Sequence, residues 1–175
     1  MKFIPLNIPE VIVIEPDVFE DERGYFFEAF NQKKFNESLG IDVRFVQDNH
    51  SKSKRSVLRG LHYQDDPFAQ GKLVRVVSGE IFDVAVDIRP NSKSYGQWVS
   101  EILSEDNKKQ IWIPEGFAHG FLSLSDIAHV IYKTTNFYSI QHERIINPMD
   151  PKIAINWPQK KYIINNKDKN APFLI

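Results

Sequence analysis

Apolar residues in this chain fall into short β-branched and aromatic runs that reset at glycine, proline or asparagine. That pattern predicts strands over residues 11–14, 25–30, 43–47, 57–63, 72–77, 80–88, 98–103, 110–113, 120–124, 129–133 and 153–157. Within 80–88, Phe82, Val84, Val86 and Ile88 share one face by the strand period of two. The runs at 120–124 and 129–133, close in sequence, read as a pair. One stretch departs from the strand pattern. Asn31 is a natural N-cap for a helix over 32–39, Phe35 and Leu39 stand at i and i+4, and Gly40 is the stop. Many short strands with one clear helix predict an all-β sandwich or barrel, not βαβ units.

With 175 residues and no repeat, low-complexity tract or linker, the chain reads as a single domain over residues 1–175. Cysteine is absent, which removes disulfides and thiolate metal sites and fits a cytoplasmic protein. A net charge of −1 argues against nucleic-acid binding, which needs a basic surface. No apolar run approaches the ~20 residues of a membrane span. The opening residues from Met1 to Asn7 lack the apolar core and cleavage site of a signal peptide.

The candidate chemistry centres on Arg59-Gly60-Leu61-His62-Tyr63-Gln64, with Lys72 close downstream. Histidine can take up a proton near neutral pH. Arginine offers a planar fork for phosphate oxygens, and lysine a compact cation for a developing negative charge. Read as a site, this is a base flanked by anion holders; read structurally, it is a strand histidine between solvated cations. Further cations lie on other segments (Arg23, His119, Lys167), and convergence at one barrel mouth would suit a diphosphate.

Pro114-Glu115-Gly116-Phe117-Ala118-His119-Gly120 resembles the second motif of the cupin superfamily, double-stranded β-helix jelly rolls that often hold a metal. Their first motif carries H-x-H, where this chain reads His62-Tyr63-Gln64. Catalytic metals usually take three protein ligands, so the reading is a metal-free, cupin-like jelly roll with one or a few short helices. Further stretches resemble the dTDP-4-dehydrorhamnose 3,5-epimerase family. They are Arg59 to His62, Gln70-Gly71-Lys72-Leu73-Val74-Arg75, Gly79 to Arg89 and Ile113 to Phe121. Asp21-Glu22-Arg23-Gly24, Gln47-Asp48-Asn49-His50-Ser51 and Tyr132-Lys133 with Tyr138 match as well.

That resemblance implies inversion of C3 and C5 of a dTDP-4-keto-6-deoxy sugar without a cofactor, in the synthesis of dTDP-L-rhamnose. Protons beside the C4 ketone are acidic because the carbanion delocalises as an enolate. Their exchange needs a base, a cation at the C4 oxygen and an acid on the opposite face. The resemblance casts His62 as the base with Asp168 as its partner, Lys72 as the enolate cation and Tyr132 as the acid. It assigns Arg23, Arg59, His119 and Lys167 to the diphosphate or sugar. Gln47, Asn49 and Glu28, with Asp48 in the same motif, fall around the thymidine; Tyr138 stacks on the base, and Glu143 is a further substrate contact. It also implies a homodimer whose pockets are shared, the segment around Arg23 to Glu28 reaching the neighbour.

One region departs from the family pattern. Where glycine and Trp-Asn-Asp usually follow Glu143, this chain has Arg144 and then Pro148-Met149-Asp150-Pro151. The change bears on the rim of the pocket and the sugar preference. Three other readings stand beside the full epimerase: a relative inverting one centre only, a metal-dependent cupin, and a non-catalytic nucleotide-sugar module.

Overall fold

The computed structural model describes residues 1–174. In chain order its elements are β1 (Lys2–Pro5), β2 (Ile12–Glu15), β3 (Phe19–Asp21), β4 (Gly24–Phe26), α1 (Gln32–Leu39), β5 (Gln47–Lys54), β6 (Leu58–Gln64) and β7 (Lys72–Ser78). Then come β8 (Glu80–Asp87), β9 (Trp98–Ser104), β10 (Gln110–Ile113), β11 (Phe117–Ser123), β12 (Ile127–Thr134), β13 (Glu143–Ile145) and α2 (Asn166–Lys169).

Two sheets face each other, one ordered β1-β2-β10-β7-β12-β5 and the other β13-β6-β11-β8-β9, while β3 and β4 form a separate hairpin. From β5 onward nearly every strand crosses to the sheet opposite its predecessor, and each named pair is antiparallel. This winding is the double-stranded β-helix of a cupin-like jelly roll. It also corrects the expected pairing of 120–124 with 129–133. β11 pairs with β6 and β8, whereas β12 pairs with β5 and β7 in the other sheet.

Alternation along the strands builds three apolar layers. Val74, Val76, Ile81, Ala85, Ile111, Phe117, Phe121 and Val130 fill the space between the sheets, with Tyr132 packed at their margin. Phe82, Val84, Val86 and Ile88 face outward as a set, covered by Ile146, Ile153, Ile155 and Trp157. Residues 153–157 are therefore a cover over the sheet, not the strand expected there. The third layer lies under α1, where Phe35 meets Phe30, Phe45 and Trp112 with centroids 5.2–6.0 Å apart.

The helix forms as its ends predict. Asn31 Oδ1 accepts the Lys34 N–H at 3.1 Å, and Gly40 takes the left-handed φ of 64° that closes it. The predicted strand at 43–47 is displaced. Val43 and Phe45 are apolar because they cover the outer layer, and the strand itself is the more polar Gln47–Lys54. Likewise β4 takes only Tyr25 and Phe26 of the run 25–30. β1, β13 and α2 lie where no element was expected.

Candidate active site

Strand register brings the chemistry together at one end of the space between the sheets. β6 and β11 place His62 opposite His119. On the facing sheet, Tyr132 lies between Asn49 of β5 and Val74 of β7, and Lys72 stands beside Thr134. The result is a cleft with two lobes. One, of about 220 Å³, includes Gln47, Asn49, Gln64, Gln70, Tyr138 and Glu143 in its walls. The other, of about 210 Å³, is lined by Ser51, Arg59, His119 and Phe121. His62, Lys72 and Tyr132 border both lobes.

His62 Nε2 lies 2.8 Å from Asp168 Oδ1, and the carboxylate is buried at 1% exposure. The C-terminal segment makes this contact possible. It runs beside the start of β6, where Leu58 N donates to Ile163 O and Ile163 N to Ser56 O, and α2 follows. Asn165 caps α2 by accepting the Asp168 N–H at 2.6 Å. Asp168 Oδ2 accepts the Gly60 N–H at 3.0 Å. Burial pushes the Asp168 carboxyl up, but the His62 ring and the Gly60 N–H outweigh it and hold the group below its ordinary range. With Nε2 given to Asp168, Nδ1 is the ring nitrogen left to exchange a proton.

Lys72 is 6% exposed, and its ammonium is brought down to about 8 by burial, with Glu115 opposing the shift. Among the described residues its Nζ makes no hydrogen bond or ion pair. A cation held this way is poised for an anionic ligand. Burial also raises Tyr132, with Arg59 working against the shift, so the phenol keeps its proton at neutral pH.

His119 has its own carboxylate. Its Nε2 lies 2.8 Å from Asp83 Oδ2, and Asp83 is fully buried, with burial raising its carboxyl. Asp83 lies within the Gly79 to Arg89 stretch that matched the family pattern, but the sequence reading gave it no role. His62 and His119 thus each hold a separate carboxylate. Among the described residues no group of three His, Asp or Glu side chains could hold an ion.

At the rim, Tyr138 Oη donates to Glu143 Oε2 at 3.1 Å and Lys167 Nζ reaches the same oxygen at 2.5 Å. Burial pushes Glu143 up, yet Lys167 and Tyr138 together hold it below its usual value. Arg59 is fixed by Ser53 Oγ at 3.0 Å and the Lys52 carbonyl at 3.2 Å. Three candidates lie outside the cleft of their own chain. Asp48 faces the opposite side of β5 and pairs with Lys133 at 2.9 Å. Arg23 pairs with Asp21 on the β3–β4 hairpin, and Glu28 with Lys34 at 2.9 Å. The departing stretch also turns away: Arg144 pairs with Asp65 at 2.7 Å, and buried Asp150 receives the N–H of Lys152 and of Leu174.

A protonatable base, a buried cation and a protonated phenol around one cavity can move protons on carbons beside a carbonyl. Comparison with known proteins agrees with that chemistry. The family model described as dTDP-4-dehydrorhamnose 3,5-epimerase matches residues 5–175. A relative of that description from Shigella flexneri is 59% identical over 171 residues, covering 98% of this chain and 94% of the relative. Another from Pseudomonas aeruginosa is 56% identical over 172 residues, covering 98% and 94%. Among solved structures, the dTDP-6-deoxy-D-glucose-3,5-epimerase of Legionella pneumophila Philadelphia 1, in complex with dTDP-4-keto-L-rhamnose, superposes with a TM-score of 0.96. It is 51% identical, covering 99% of this chain and 92% of that one. The chain belongs to the dTDP-4-dehydrorhamnose 3,5-epimerase family.

Proposed function

We propose that this chain, acting as one jelly-roll domain, inverts C3 and C5 of dTDP-4-dehydro-6-deoxy-D-glucose to give dTDP-4-dehydro-L-rhamnose, with no cofactor. The observation that carries the reading is the convergence of His62, Lys72 and Tyr132 on one cleft, with Asp168 fixed behind His62. His62 takes the proton from C5 or C3, and the electron pair moves onto the C4 oxygen as an enolate. Lys72 balances that charge. Tyr132 then gives its proton to the opposite face of the carbon, which inverts it; solvent reprotonates the phenolate and takes the proton from the His62 imidazolium. Asp168 keeps the proton on Nε2 of His62 and steadies the imidazolium that forms. Arg59, His119 and Lys167 hold the diphosphate and sugar; Gln47, Asn49, Tyr138 and Glu143 receive the nucleoside.

Arg23 and Glu28 act in the pocket of a second copy. Phe19, Tyr25 and Phe26 support this, since the hairpin leaves them 65%, 57% and 72% exposed in one chain. Among the described residues no helix is long and apolar enough to cross a membrane. With a cysteine-free sequence, this favours the cytoplasm as the place of reaction.

Incubation with dTDP-4-keto-6-deoxyglucose in deuterated water, with a chelator present, tests the reading by NMR. Deuterium at both C3 and C5 is expected. Label at one carbon only would make the chain a single-centre epimerase, and exchange that needs an added divalent ion would overturn the cofactor-free reaction.

A further inference from the structure

The loop joining β12 to β13 carries Tyr138 to the mouth of the cleft, where the ring is 53% exposed. Its neighbours Phe137 and Ile140 are 59% and 75% exposed, so apolar packing does little to fix the loop. Glutamine side chains fix it instead. Gln70 Nε2 donates to Asn136 O at 2.8 Å, and Gln64 Nε2 donates to Phe137 O at 3.1 Å. The Tyr138 N–H donates to Gln47 Oε1 at 2.9 Å, and the Ser139 N–H to Gln64 Oε1 at 2.7 Å. Four successive residues thus each give one backbone group to an amide that lines the cleft.

Gln64 is the pivot. It is 7% exposed and engaged at both ends, its Nε2 also donating to Phe68 O at 2.6 Å. Two carbonyls approach one end and an N–H the other. A neutral primary amide meets both demands; a carboxylate, which only accepts, would face two carbonyl oxygens. Gln64 also stands where the H-x-H pattern would put its second histidine, and the structure gives that position a different task.

We propose that Gln64 is a positioning residue for nucleotide recognition: through the backbone of residues 137–139 it sets the Tyr138 ring over the cleft. The proposal rests on the nucleotide-sugar reading of this site. Gln64 touches no reacting atom, so its effect belongs to binding of the nucleotide end and not to proton transfer.

Calorimetric titration with dTDP tests it on wild type, Gln64→Glu, Tyr138→Ala and the double variant. Gln64→Glu should weaken dTDP by about tenfold, the scale of a buried hydrogen-bonding group left unmatched. KM for the nucleotide sugar should rise while kcat at saturation holds. The double variant should bind no more weakly than Tyr138→Ala, because Gln64 acts through that ring. Should Gln64→Glu not fold, Gln64→Met, of similar length without the amide, takes its place in the same titrations. Wild-type affinity in the Gln64 variant, or fully additive losses in the double variant, would overturn the proposal. A wild-type protein that does not bind dTDP would instead overturn the nucleotide-sugar reading itself.

Discussion

Lys72 brings a cation into a place where water scarcely reaches. Its ammonium falls to about 8, while the unfolded chain restores the ordinary value near 10.4. The sign follows from proton counting. Below pH 8 both states hold the proton, and the folded state carries the whole penalty. Between about 8 and 10.4 only the unfolded state holds it, so stability rises with pH in that window. Lys72→Met should therefore stabilise the fold at pH 7, by up to about 3 kcal/mol, an advantage that shrinks above pH 8. Melting curves across that range check it. The same variant should lose about 10²–10³-fold in epimerisation, as when one oxyanion partner is removed. Both results together would mark Lys72 as a functional group, and it stood out in the sequence because it followed a histidine motif. The pairing of Asp83 with His119 was not legible. A buried acid leaves no periodic trace, and only the fold shows that it faces His119.

The elements differ in how much of themselves they declare. The helix α1 was legible to the residue, because its cap at Asn31, its apolar pair and its stop at Gly40 are local. β5 was hidden: its inward positions Gln47, Asn49 and Ser51 line the cleft and so carry polar side chains where a strand pattern would look for apolar ones. The β11 to β12 connection misled for another reason, since nearness in sequence does not predict pairing when a chain winds between two sheets. Where β6 pairs with β11 the fit is tight. Gly60 adopts φ +108°, and a Cβ there would come within 2.6 Å of Gly120 Cα and of the His119 carbonyl. Gly60→Ala should cost about 1–3 kcal/mol from backbone strain, on top of that clash. Because His62 is two residues on and Gly60 N–H binds Asp168, activity should fall further than stability predicts. Denaturant midpoints beside exchange rates check this; equal proportional losses would assign Gly60 to the fold alone.

At the scale of the molecule, a single chain leaves its hairpin uncovered. Phe19, Tyr25 and Phe26 lie in solvent, and among the described residues Arg23 is paired only with Asp21 beside it. Jelly roll and cleft were legible because motif order and spacing cover nearly the whole chain, but which residues act across subunits leaves no trace in strand periodicity. The expected assembly is a dimer, and an obligate interface of this kind typically buries 2,000 Å² or more. Light scattering should report twice the chain mass, and Arg23→Ala should weaken nucleotide-sugar binding without changing the single-chain fold seen by circular dichroism. A fully active monomer would contradict the shared pocket.

The division of labour between His62 and Tyr132 is the centre of this account, and deuterium exchange in two variants tests it most directly. In the proposed mechanism His62 begins both inversions, so His62→Ala should lose label at C3 and C5 alike, by the 10²–10⁴-fold typical of a positioned base. Tyr132→Phe keeps the ring and removes the proton, so solvent exchange should persist while net inversion, above all at C5, falls sharply. Exchange at both carbons in His62→Ala, or inversion at the normal rate in Tyr132→Phe, would contradict it.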